Sequence, residues 1–184
     1  PGGAHPENPR DPVAPVALPD RPMRIPRKYP AQALQGPASI ELGPGPSQHL
    51  SRVLRMKPGD AIILFDGTGG QYPATVTALN RKSVVATTAE HQSVERESNL
   101  AVQLGIAISR SERMDWVVQK ATELGVGVIA PLRTERTEVR LSGERAEKKL
   151  RHWQQVVTSA CEQCGRNRLP DIQPVQDLQS WISA

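Results

Sequence analysis

The order of apolar and polar positions divides the chain in two. Up to residue 93 the apolar runs are short: SIEL, the periodic HLSRVLRM, AIILF, YPATVTAL and VVATTA, separated by GPGPSQ, KPGD, DGTGG and NRKS. Brief runs bounded by turn residues predict the strands of a small β-barrel carrying one short helix. Lys57-Pro58-Gly59-Asp60 presets a turn before AIILF, and Asp66-Gly67 with Gly69-Gly70 supplies the positive φ values that a tight loop requires.

After Asn99 the period lengthens. LAVQLGIAIS (100–109) is nearly all apolar, as expected of a parallel strand covered on both faces. Ser109 and Glu112 have capping-box spacing, and Met114, Val117, Val118, Ala121 and Leu124 then recur at helical intervals, so a helix ending near Gly125 follows. VGVIAPL (126–132) is the next strand. A polar loop, RTERTEVRL, leads to a long helix over 142–164 with Leu150, Trp153, Val157, Ala160 and Cys164 as its apolar stripe. LPDIQPV (169–175) is a third strand and DLQSWISA begins another helix. Strand and helix in alternation predict an α/β unit with a parallel sheet.

Composition refines this division. Seven prolines in the first 22 residues mark residues 1–22 as a disordered tail or an appended extension, with Met23 as the native start. The polar stretch HQSVERESN separates the two patterns, giving a barrel over 23–93, a linker over 94–99 and an α/β domain over 100–184. Three strands make a narrow parallel sheet, so more sequence is expected beyond Ala184. No apolar run approaches the roughly 18 residues needed to cross a bilayer, and a cytoplasmic protein with no membrane partner is expected. Cys161 and Cys164 lie three apart in a helix, unsuited to a disulfide, and are expected to stay reduced.

Between Met23 and Gly59 the chain holds Arg24, Arg27, Lys28, Arg52, Arg55 and Lys57 against Glu41 alone, a net of about +5. Such a cluster suits a polyanion, because each neutralised phosphate releases condensed counterions; a merely solvated face is the alternative. GxGxxG after a strand, GxxxxGK[ST], HExxH and GxSxG do not occur, which removes dinucleotide binding, P-loop chemistry and common hydrolases. Cys161-Glu-Gln-Cys164 has too few ligands for zinc and lies too deep in its helix for a thioredoxin-type site. In CEQCGRNR (161–168), Glu162, Gln163, Arg166 and Arg168 either face a nucleotide or belong to the cationic cap of a helix end. Lys120, Glu123, Glu135, Arg136 and His152 are further candidates, each consistent with an ordinary surface charge.

Together, MRIPRKY, HLSRVLRMKPGD, LFDGTGGQY, SRSERMDWVVQKATELGV, PLRTERTEV and HWQQVVTSACEQCGRNRLP closely resemble the RsmE-type 16S ribosomal RNA (uracil-N3) methyltransferases, from Met23 to the end. The resemblance implies an α+β chain of two domains: a PUA-like RNA-binding β-barrel followed by a SPOUT methyltransferase domain whose knot holds S-adenosylmethionine, in a homodimer. The GPEGG-type loop and later Leu-Arg-Glu-Thr-type segment of that family are absent here, so the domain is expected to be incomplete, its donor contacts to lie beyond Ala184, and the chain as given to bind RNA with little affinity for the donor.

The implied reaction moves a methyl group to N3 of one uridine of 16S ribosomal RNA in the small ribosomal subunit. N3 lies on the Watson–Crick edge and carries a proton, so the base must be flipped out and a group must accept that proton. Glu162 and Arg166 are the candidate catalytic residues, Glu162 as proton acceptor. Arg24, Arg27, Arg52, Arg55, Lys57, Arg110, Arg136 and Arg168 are the candidate RNA contacts. A non-enzymatic RNA-binding module is the alternative for the chain as given, and a thiol-redox protein requires an unusually reactive Cys161.

Overall fold

The computed structural model describes residues 25–80, 83–135, 137 and 141–183. The first sheet contains β1 (Arg27–Lys28), β2 (Ser39–Leu42), β3 (Ala61–Leu64), β4 (Tyr72–Leu79) and β5 (Val84–Thr88), in the order β1-β3-β4-β5-β2. Only β1 and β3 run parallel; the other pairs are antiparallel, and a bulge between Val76 and Ala78 bends β4. Among the described residues this pairing is an open path rather than a closed ring. Alternation along β4 and β5 turns Tyr72, Ala74, Val76, Val84 and Ala86 inward, where Leu34, Leu42, Leu50 and Met56 join them.

Helix α1 (Pro44–Gln48) begins with proline in its first turn and passes into a π-helical turn, His49–Val53. Ser47 anchors this segment: its buried hydroxyl donates to Leu42 O at 2.8 Å and accepts from Val84 N at 2.9 Å. Leu50 is thereby held in the core, and Arg52, Val53 and Leu54 face outward.

The second sheet is parallel throughout. β6 (Gln103–Ala107) pairs with β7 (Val128–Arg133), and β7 pairs on its other side with β8 (Asp171–Ile172) and then β9 (Gln176–Asp177). Helices α2 (Ser111–Glu123) and α3 (Gly143–Cys164) pack together, and α4 (Leu178–Ile182) follows β9. Among the described residues no helix is long and apolar enough to cross a membrane.

Several expectations shift in detail. Strand β6 is shorter than 100–109 and only half-covered, because it ends the described sheet; Leu100 is 69% exposed. The N-cap of α2 is Arg110, with no side-chain cap bond, so Ser109 and Glu112 form no capping box. Met114, Val118 and Ala121 are buried as the period requires, but Leu124 is 83% exposed because the helix has ended and turned at Gly125 (φ 95°). In α3 the stripe ends on Cys161 rather than Cys164.

The linker expected over 94–99 is a docked strap, and the two halves share a core. Phe65, from the first half and the chain's one phenylalanine, is fully buried in the cluster formed by Met114, Val118, Ile129, Trp153 and Val157. Tyr29 packs beside it, with ring centroids 5.9 Å apart.

Candidate functional site

The strand directions fix the geography of any site. β7 is followed by α3, which runs back across the sheet before β8 starts level with the beginning of β7, Asp171 opposite Val128. The carboxyl end of α3 therefore lies at the amino-terminal edge of the parallel sheet. At about 3.3 Å per residue, the six residues of β7 separate the two edges by about 20 Å, a distance that the 22 residues of α3 more than span. In open parallel sheets ligands bind at the carboxyl edge.

The segment 161–168 is at the amino edge, and it locks the halves together. Gly165 caps α3 in the left-handed conformation (φ 93°), which turns the next three residues back toward the strap. Arg166 is buried. Its Nη1 donates to Thr122 O at 2.8 Å and to Val126 O at 2.9 Å, tying the end of α2 to the start of β7, while Nε and Nη2 grip the Glu97 carboxylate. Burial alone would lower its pKa, but the Glu97 carboxylate more than offsets this and holds the guanidinium charged. Asn167, fully buried, accepts from Arg27 and donates to Val94 O. Arg96 donates to Gly165 O at 2.9 Å, and Arg168 Nε to Glu95 at 3.2 Å.

These positions give the candidate residues partners within the protein. Arg27 was expected on RNA phosphate; it is 7% exposed in β1, bonds Gln71 at 2.8 Å, and lies 5.0 Å from the centre of the Phe65 ring. Arg166, expected at the reacting base, is committed to Glu97 and two main-chain carbonyls inside the protein. Glu162, expected as proton acceptor, pairs with the buried Lys28 and accepts from Tyr29 N at 3.1 Å. Arg168 is half-exposed but is occupied by Glu95. Arg166 and Arg168 thus bond the strap, the end of α2 and the start of β7 rather than the last carbonyls of α3.

Arg52, Arg55 and Lys57 remain exposed together on one segment, and none of the ion pairs among the described residues takes them. Arg55 has a positive φ of 52°, a left-handed conformation costly for a side chain of its size. Arg110 is exposed at the carboxyl edge of β6. There too, Ser109 Oγ is buried with no hydrogen-bond partner in the structure, and Arg133 holds Asp177 at 2.9 and 3.0 Å. Arg24 and Arg136 lie outside the described residues.

The remaining candidates are accounted for locally. Lys120 pairs with Glu123 at 2.7 Å and keeps its carboxyl below the ordinary range, helped by Gln119, and His152 meets Asp115 at 2.7 Å between α2 and α3. Burial, reinforced by Cys164, pushes the Cys161 thiol up to about 12, which disfavours the thiolate that nucleophilic chemistry needs. Among the described residues no cluster could hold a metal ion.

Glu95, Arg96, Glu97, Asn167 and Phe65 were missed as functional positions. A signal existed for the first three: Glu95-Arg96-Glu97 mirrors Arg166-Asn167-Arg168 in reverse order, with Glu95 meeting Arg168 and Glu97 meeting Arg166.

Two family models and several known proteins match the chain. Residues 47–88 match the model of an RNA methyltransferase PUA domain and residues 96–184 that of an RNA methyltransferase domain. Ribosomal RNA small subunit methyltransferase E of Buchnera aphidicola subsp. Schizaphis graminum is 34% identical over 158 residues, 86% of this chain and 64% of that one. The Synechocystis protein of the same name is 35% identical over 135 residues, 73% of this chain and 43% of that one. The chain thus spans less than two thirds of the length of these relatives. The Neisseria gonorrhoeae enzyme of that name, solved bound to S-adenosyl methionine, superposes with a TM-score of 0.81 at 39% identity, over 86% of this chain and 65% of its own. A putative methyltransferase from Legionella pneumophila, solved with the same cofactor, gives 0.78 at 39% identity, over 84% and 63%.

Proposed function

The chain belongs to the RsmE-type RNA methyltransferase family, and from that we propose that the protein carrying it transfers a methyl group from S-adenosylmethionine to N3 of a uridine in small-subunit ribosomal RNA. The observation that carries this reading is the buried lock between the halves. Arg27, Asn167, Arg166 and Glu97 fix the basic segment 52–57 relative to the carboxyl edge of β6 and β7. RNA gripped at one place is thereby presented at a set position to the other, and reaction within such a fixed geometry needs no further search.

The carboxyl edge is the side on which donor and target base should meet. Ser109 supports this, since a buried hydroxyl without a partner costs free energy that a ligand atom would recover. Ser109 would sit against the bound donor or base, and Arg110 beside it would hold a phosphate of the flipped nucleotide. When bound, S-adenosylmethionine supplies the electrophilic methyl group. The N3 proton must pass to a base at this edge, and Glu162, at the opposite edge, is withdrawn from that role. We read the protein as cytoplasmic and homodimeric, on the strength of the family resemblance.

The test is transfer of labelled methyl from S-adenosylmethionine to small ribosomal subunits by the natural protein, followed by nucleoside analysis of the RNA. 3-Methyluridine is the expected product. Label in 5-methyluridine, or none in small-subunit RNA, would refute the reading.

A further inference from the structure

A cleft of about 800 Å³ lies between the first half and α3, within the size range of sites that hold small molecules. One wall is apolar: Ile25 and Leu54, 47% and 41% exposed, with Pro46. The other is a face of α3 bearing Gln155, Thr158 and Ser159 at helical spacing; Gln155 and Ser159 can donate and accept, while Thr158, whose hydroxyl donates to Gln154 O, can accept. Lys28 and Glu162 on its lining neutralise each other. We propose that this cleft seats one unpaired base of the RNA, next to phosphates held by Arg52, Arg55 and Lys57. The inference rests on the function proposed above and adds a recognition subsite to it.

Four observations bear on a nucleotide. Apolar walls suit the faces of a base and neutral hydrogen-bonding groups suit its edges, which is how proteins read splayed single-stranded RNA. Leu54 lines the cleft and lies in sequence between Arg52 and Arg55, so a base against Leu54 leaves its phosphates beside exposed guanidinium groups. Among the described residues two that are not glycine have positive φ values, Ala31 (58°) in the cleft wall and Arg55 (52°) next in sequence to the wall residue Leu54, and such strain gathers where a ligand is held. His49 is also on the wall; burial and then Lys28, opposed by Glu162, lower its pKa from the ordinary imidazole value.

The cleft faces the amino end of the sheet, far from the carboxyl edge. The base it holds is therefore not the one methylated but a neighbour whose capture sets the register of the target. That is a specificity role, read by binding rather than by chemistry.

The experiment compares binding of a short single-stranded oligoribonucleotide with binding of the same oligomer lacking one base. The 184-residue chain should bind the abasic oligomer about fivefold more weakly, the worth of one net hydrogen bond. Ser159→Trp, filling the cleft from an exposed position, should bind both alike with an unchanged salt slope. Gln155→Ala with Thr158→Ala, which empties the wall instead, should also lose the discrimination. Cross-links from 5-iodouridine should fall within 44–54 and 155–159. Equal affinity of the unaltered chain for the two oligomers, or discrimination kept by Ser159→Trp, overturns the cleft and leaves the methyl transfer of the natural protein untouched.

Discussion

Replacing Asn167 by alanine probes the lock directly. The side chain is fully buried, accepts a charge-assisted hydrogen bond from Arg27 and donates to Val94 O, so it joins β1, the strap and the end of α3. Loss of the first bond costs about 1.5–3 kcal/mol and of the second about 1 kcal/mol, and both partners are left in a site closed to water. Arg27 keeps Gln71 and Arg166 O, which limits the total to about 3 kcal/mol. With a urea slope of about 2 kcal/mol/M, the midpoint should fall by about 1.5 M. The tryptophans, Trp116, Trp153 and Trp181, all lie in the α/β half, with Trp153 in the cluster that holds Phe65, so their fluorescence reports chiefly that half and far-ultraviolet circular dichroism reports both. In the variant the dichroism transition should precede the fluorescence transition, because the first half is released. Coincident transitions with a midpoint within about 0.3 M of the parent would refute the argument; Asn80→Ala, on an exposed turn, is the control.

Further outcomes follow from the same contacts. Arg52→Ala with Arg55→Ala should weaken RNA binding and reduce the slope of log K against log salt by about 1.4, two phosphates at ~0.7 each on a single strand; an unchanged slope removes them from the phosphates. Glu162→Gln leaves the buried Lys28 without its carboxylate and should cost about 3 kcal/mol in urea unfolding, with no change in the pH profile of methylation by the folded natural protein; a shifted profile would restore Glu162 to the chemistry. In the native chain Cys161 should resist alkylation at pH 8 until the protein unfolds, given a thiol pushed up to about 12, and rapid labelling would contradict this. Burial tends to raise the Asp66 carboxyl, but hydrogen bonds from Thr68 and Leu34 N prevail and hold it below the ordinary range. A pKa depressed by folding stabilises above the unfolded value and is lost as pH falls through the folded one. Asp66→Asn should therefore be destabilising at pH 7 and progressively less so below about pH 4, and a penalty constant with pH would contradict it.

The amino-acid order alone determined the elements and most of their inward faces. Alternation in YPATVTAL and VVATTA, and the 3.6-residue recurrence of Met114, Val118 and Ala121 and of Trp153, Val157 and Ala160, are local records of burial, and β4, β5, α2 and α3 have the predicted faces. The change of period near residue 99 likewise separated the antiparallel from the parallel sheet. Element ends were less legible, since Leu124 and Cys164 continue a period that the chain has already left.

The partners of the charged residues were decided only by tertiary structure. An arginine reads the same whether water, a phosphate or a buried carboxylate awaits it; Arg27 meets Asn167 across 140 positions, and Arg166 meets Glu97 across 69. Placement in the fold also decided which candidates could be near the chemistry. Helix α3 crosses from one edge of the sheet to the other, which carries Glu162 and Arg166 away from the carboxyl edge and leaves Ser109 and Arg110 there. Periodicity reports how much of each side chain is covered; what covers it depends on contacts between segments far apart in sequence, and those exist only once the chain has folded.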